Sequence, residues 1–168
     1  MDIFAHGFWS YAIFHRRSYA LKAVLAGILP DIVSFGPHFL LSIFAGTFTR
    51  GKPGIETISD STFMLYNFTH SFIIFIFVAL LIFIITKKVY LWLLAWPLHT
   101  FVDIFTHSTD FFPTPFLFPL SSYKFDGHAW GNKYFMIANY SVLIIVYLLI
   151  FYYSRKRKIG TKKHSKNN

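Results

Sequence analysis

Apolar residues run in long blocks along this chain, separated by short polar or proline-rich breaks. Residues 3–15 form a short aromatic block stopped by His15-Arg16-Arg17. Tyr19 to Phe35 is a second block, interrupted by Gly27 and by Pro30-Asp31. Phe35 to Phe48 opens on Gly36-Pro37 and predicts an interfacial helix, whereas Thr49 to Tyr66 is polar and predicts a loop. Asn67 to Thr86, Val89 to His107 and Tyr134 to Tyr153 match the ~20 apolar residues that a membrane helix needs. A loop rich in proline and aromatic residues, Ser108 to Lys133, joins the last two. The pattern predicts an all-α, polytopic membrane bundle with five crossings, at 3–16, 19–35, 68–86, 89–107 and 134–153, and an interfacial helix at 36–48. The membrane domain is expected to cover 1–153, and a basic, disordered tail 154–168.

Composition supports the membrane reading. Of 168 residues, 55% are hydrophobic and 21% aromatic, mean hydropathy is +0.49, and only seven residues are acidic, too little polar surface for a soluble domain. There is no cysteine, so disulfides and thiolate metal sites are excluded. Seven of the sixteen Lys and Arg residues follow Tyr153, and they carry most of the +9 formal charge. A basic run directly after an apolar block signals a cytoplasmic C-terminus and contact with anionic lipids, not a nucleic-acid site. The first residues lack a positive leader, so a cleaved signal peptide is not expected.

The polar residues inside the apolar blocks change the picture. His99, Asp103 and His107 are each four residues apart, which places them along one stripe of a helix. Ionisable groups at hydrocarbon depth are costly and face a bundle interior, where they pair or serve a function. With five crossings, His6, Asp31, His70 and the His99–His107 stripe all come out at the outer-leaflet level. A shared depth favours one site over scattered core histidines. Imidazole and carboxylate suit Zn²⁺, with Mn²⁺ or Fe²⁺ as further options. His6, Asp31, His70, His99 and Asp103 are the expected ligands. His107 is either a ligand to a second ion or an orienting group, Asp110 a hydrogen-bond acceptor for a ligating imidazole, and His128 a candidate general acid. The plain alternative is a hydrogen-bonded polar seam between helices.

His6, Leu29-Pro30-Asp31, Thr69-His70-Ser71 and the His99-x-x-x-Asp103 helix, in that order, resemble the pattern of the bacterial membrane-bound metal-dependent hydrolases. That family is similar in motif logic to zinc-dependent phospholipase C. The segment Phe112 to Ser121 also resembles the family's stretch after the His-Asp helix. The chain departs from the pattern at Val33, where a second acid is common, and at Leu65 to Phe68, in place of His-Arg-Gly. The resemblance implies a hydrolase of the bacterial inner membrane; a metal-bound hydroxide suits attack on a phosphoester or phosphoanhydride, and the depth of the site suggests a membrane lipid or lipid-linked phosphate as substrate. Two rivals remain open at this stage, a metal-ion transporter or sensor and a non-catalytic structural membrane protein.

Overall fold

The computed structural model describes residues 1–48 and 54–165, with side chains as far as Arg157. Six α-helices carry the chain, and the described residues contain no strand. They are α1 (Ile3–Phe14), α2 (Ala20–Phe44), α3 (Asp60–Thr69), α4 (Phe72–Thr86), α5 (Ala95–Thr106) and α6 (Lys133–Ser165). Two 3₁₀ turns, Ile55–Thr57 and Leu91–Leu94, precede α3 and α5. The chain divides into two compact units, Met1–Trp130 and Gly131–Asn168.

Five full crossings do not survive. Among the described residues, only α2 and the Lys133–Arg157 part of α6 are single helices long and apolar enough to cross a membrane. The α3–α4 pair makes a third candidate, bent by 64° at the break. The expected crossings at 3–16 and 89–107 are the shorter helices Ile3–Phe14 and Leu91–Thr106. Nor is 36–48 a separate interfacial helix, because α2 runs through both Pro30 and Pro37 to Phe44. Each proline removes one backbone donor from the helix ladder. Tertiary packing carries the helix through both; Ser34 donates its hydroxyl back to the Pro30 carbonyl at 2.8 Å, which is not one of the carbonyls that the prolines leave unpaired. α6 continues helical past Tyr153, the expected start of a disordered tail. Arg50 and Lys52, expected in the outer loop, lie outside the described residues.

In the first unit α2 is the central element, touching α1, α3, α5 and the second 3₁₀ turn. Its buried residues are Ala20, Ala23, Ala26, Gly27, Pro30 and Ser34, spaced three or four apart along one face. Small side chains let neighbouring backbones approach closely, the usual means of packing helices within lipid. Gly27 is the tightest point. A Cβ there would stand 2.0 Å from Ser10 Oγ and 3.0 Å from its Cβ.

Large apolar residues take the opposite place. Leu21, Leu25, Leu40, Leu41 and Phe44 of α2 are exposed, and so are Ile76, Phe77, Leu80 and Ile85 of α4. The buried set instead includes His6, Ser34, His70, Ser71, His99, Thr100, Asp103 and His107. An exterior richer in large apolar side chains than the interior is compatible with membrane association, since water would penalise each at roughly 25 cal/mol per Å².

Candidate metal centre

Four elements bring the ionisable groups together. α5 presents His99 and Asp103 one turn apart, both buried, as the four-residue spacing dictates. α2 contributes Asp31 from near its middle. His70 stands at the break between α3 and α4, where Ser71 caps α4 by accepting from Ile73 N at 3.1 Å and Ile74 N at 3.3 Å. The polar triplet Thr69-His70-Ser71 therefore ends one helix and starts another inside a continuous apolar stretch. α1, whose N-cap Asp2 accepts from Phe4 N and Ala5 N, adds His6.

Asp31, His70, His99 and Asp103 each offer a ligand atom, and these atoms all lie within 4.8 Å of one another. His99 Nε2 is 3.0 Å from His70 Nε2, 3.1 Å from Asp103 Oδ2 and 3.7 Å from Asp31 Oδ1. His70 Nε2 is 3.5 Å from both Asp31 Oδ1 and Asp103 Oδ2.

The opposite ring nitrogens fix the protons. His99 Nδ1 donates to the Gly27 carbonyl at 2.7 Å, and His70 Nδ1 lies 3.2 Å from the Tyr66 carbonyl and 2.9 Å from Thr69 Oγ1, which gives its own proton to the Leu65 carbonyl. A nitrogen facing a carbonyl must carry hydrogen, so each neutral ring turns an Nε2 lone pair inward. Asp103 Oδ2 is buried there with no hydrogen-bond donor. Two imidazole lone pairs and two carboxylates thus converge on one point. Such a cluster needs positive charge beside it; the Met1 ammonium on Asp103 Oδ1 supplies some, and a cation among the four inner ligand atoms would supply more. A ligating histidine that donates its other N–H to a backbone carbonyl is the usual support for a bound metal. By that test the four residues could hold a metal ion.

No known protein family, curated protein or solved structure matches this chain. The centre must be judged on its own geometry.

The second carboxylate oxygen of Asp103 faces other partners. His6 Nε2 is 2.9 Å from Oδ1, and the His6 ring stacks on His99 at 3.6 Å between centroids. The α-amine of Met1 contacts the same oxygen and donates to Thr106 Oγ1 at 2.9 Å. His107 Nε2 stands 3.5 Å from Oδ1, buried and without a hydrogen-bond partner. Its Nδ1 donates to the Phe112 carbonyl at 2.8 Å, which also accepts from the Tyr66 hydroxyl at 2.9 Å. Phe112 adopts a left-handed φ of 51° to aim that carbonyl, at a cost of roughly 1–2 kcal/mol for an L-residue. So His6 and His107 adjoin the group of four through Asp103.

Two expected residues take other positions. The acceptors for His70, His99 and His107 are backbone carbonyls and, for His70, the Thr69 hydroxyl, not Asp110, which is exposed in a turn after α5. The His128 side chain is exposed, while its backbone N–H donates to the Phe105 carbonyl at 2.9 Å. Asp31 lies mid-helix instead of near the end of a crossing, and the five crossings from which a shared depth was expected are not all present, yet its carboxylate still meets the other three groups. The carbonyls of Gly27, Tyr66 and Phe112 were not anticipated; backbone acceptors carry no residue signature, and only the glycine and tyrosine types hinted at close packing.

Proposed function

We propose that the protein is a membrane-embedded, metal-dependent hydrolase acting on a phosphoester or phosphoanhydride of a lipid-linked substrate. The observation that supports it is the buried meeting of the His70 and His99 lone pairs with the Asp31 and Asp103 carboxylates. A divalent ion bound there would acidify water towards neutrality and offset charge on a phosphoryl oxygen. The chain's own residues hold and orient. Gly27 and Tyr66 fix the two imidazoles through their carbonyls, and Asp103 balances charge from full burial. The Asp31 side chain, 13% exposed, is the member of the four that keeps contact with the outside. The apolar exterior motivates the lipid-linked substrate, because such a molecule reaches the centre from within the bilayer.

The motif resemblance to bacterial membrane-bound metal-dependent hydrolases motivates an inner-membrane location, and the basic run after Tyr153 motivates a cytoplasmic C-terminus. The basic residues after Tyr153 would then hold anionic lipids. Metal content and phosphate release in detergent-purified protein test the reading. His99→Ala and Asp103→Ala should each lose bound metal and phosphate release together, and metal retained in both would refute it. A metal-free wild type would leave the hydrogen-bonded seam as the account of these residues.

A second reading, metal transport, is favoured by one feature. His70 sits at a broken helix and Asp31 mid-helix, the placement that carriers use for ion sites. Metal uptake into sealed proteoliposomes would select transport over hydrolysis.

A further inference from the structure

The segment Asp126-Gly127-His128-Ala129-Trp130 has a use that does not depend on the His128 imidazole. A helix leaves its last carbonyls without internal partners. At the end of α5 these are taken by a distant piece of chain. Gly127 N donates to His107 O at 2.8 Å, His128 N to Phe105 O at 2.9 Å and Trp130 N to Thr106 O at 2.9 Å. Asp126 closes the other side, its Oδ1 accepting from Thr109 N at 2.8 Å and Thr109 Oγ1 at 3.0 Å. The strap therefore grips residues 105 to 109, directly after Asp103 and on either side of His107.

Contact this close needs glycine. A Cβ on Gly127 would stand 2.6 Å from the Phe105 carbonyl carbon and oxygen and 2.7 Å from His107 O. All three are backbone atoms, so no side-chain rotation relieves the clash. Either the strap lifts or the last turn of α5 moves. Asp103 is in that turn, and metal-ligand distances tolerate only about ±0.2 Å.

We infer that Gly127 is a positioning residue for the metal centre, its bare backbone locking the last turn of α5 so that Asp103 stays aligned with His70 and His99. The inference rests on the metal reading given above. Affinity gained from the strap must be returned, since whatever tightens metal binding is itself tightened by metal to the same degree.

Two measurements on the full chain in detergent decide the matter, with Co²⁺ as the probe. Gly127→Ala should bind Co²⁺ at least about tenfold more weakly than wild type and shift its visible ligand-field bands, the size expected for loss of a supporting contact. Gly131→Ala, whose new methyl meets nothing within 4 Å, should leave both unchanged. In wild type alone, adding Co²⁺ should slow hydrogen exchange at the Gly127, His128 and Trp130 amides. Equal exchange with and without Co²⁺ overturns the role, even if the alanine variant fails to fold. So do unchanged affinity and bands in a folded Gly127→Ala protein, and in that case the metal reading stands. A wild type that binds no Co²⁺ overturns both.

Discussion

Helices α4 and α5 are neighbours in sequence and built on opposite plans. α4, Phe72–Thr86, has no buried residue and carries isoleucine, leucine and phenylalanine on every side. α5 buries Ala95, His99, Thr100, Asp103, Ile104 and Thr106, most of them polar. Their ends differ too. α4 closes on itself through Lys87, whose left-handed conformation (φ 54°) returns its N–H to the Phe83 carbonyl at 2.8 Å. α5 bonds its C-cap too, His107 N–H to the Asp103 carbonyl at 3.0 Å, but gives the carbonyls of Phe105, Thr106 and His107 to donors from residues 128, 130 and 127. The deeper difference lies in the side chains: α4 has no buried polar group to satisfy, whereas His99 and Asp103 of α5 need partners from α2 and from the α3–α4 break.

The contrast can be broken at graded cost. Gly27→Ala should be the most damaging change, because it forces α2 away from Ser10 and shifts the carbonyl that holds His99. Overpacking of this kind costs about 1–3 kcal/mol. Reversible unfolding in detergent should show it, and Ser10→Ala in the same chain should recover part of the loss. Trp96→Phe comes next. The indole Nε1 of Trp96 donates to the Thr69 carbonyl at 2.6 Å, and loss of that bond should cost about 1 kcal/mol in the same assay. Asp126 gives a smaller, pH-dependent effect. Bonds from the Thr109 backbone and then its hydroxyl lower its carboxyl below the ordinary 3.8. A lowered folded value means that the strap is supported above pH 3.8 and released as pH falls through the lowered value. Acid should therefore reduce the protection of the Thr109 amide, its exchange measured against the intrinsic rate at each pH, before it reduces that of Lys87. Leu80→Ala on α4 should be nearly silent, within about 0.5 kcal/mol, because Leu80 is 54% exposed. A loss as large as that of Gly27→Ala would erase the contrast.

How much of this was legible follows from the range of each signal. The His99–Asp103 stripe was, because four-residue spacing on a helix is local geometry. All-α architecture was too, because apolar blocks of that length admit little else in lipid. The number of crossings was not. Pro30 and Pro37 read as breaks, yet tertiary packing carries α2 through both. The block at 67–86 read as one helix, although Ser71 supplies a cap signal in its midst. Asp31 and His70 were recognised by residue type, but the argument from shared depth does not survive, since it relied on the crossing count. Gly127 was overlooked beside His128, where an imidazole drew the attention that belonged to a missing side chain.

The 64° elbow between α3 and α4 bears on how the centre can respond. Thr69 at the elbow is tied to Trp96, and Ser71 to the Phe118 carbonyl, so straightening the pair would sever both tethers at once. His70 is mounted between them. A joint of that construction converts rotation into withdrawal or approach of one imidazole, so whatever bends these two segments also adjusts the grip on a cation.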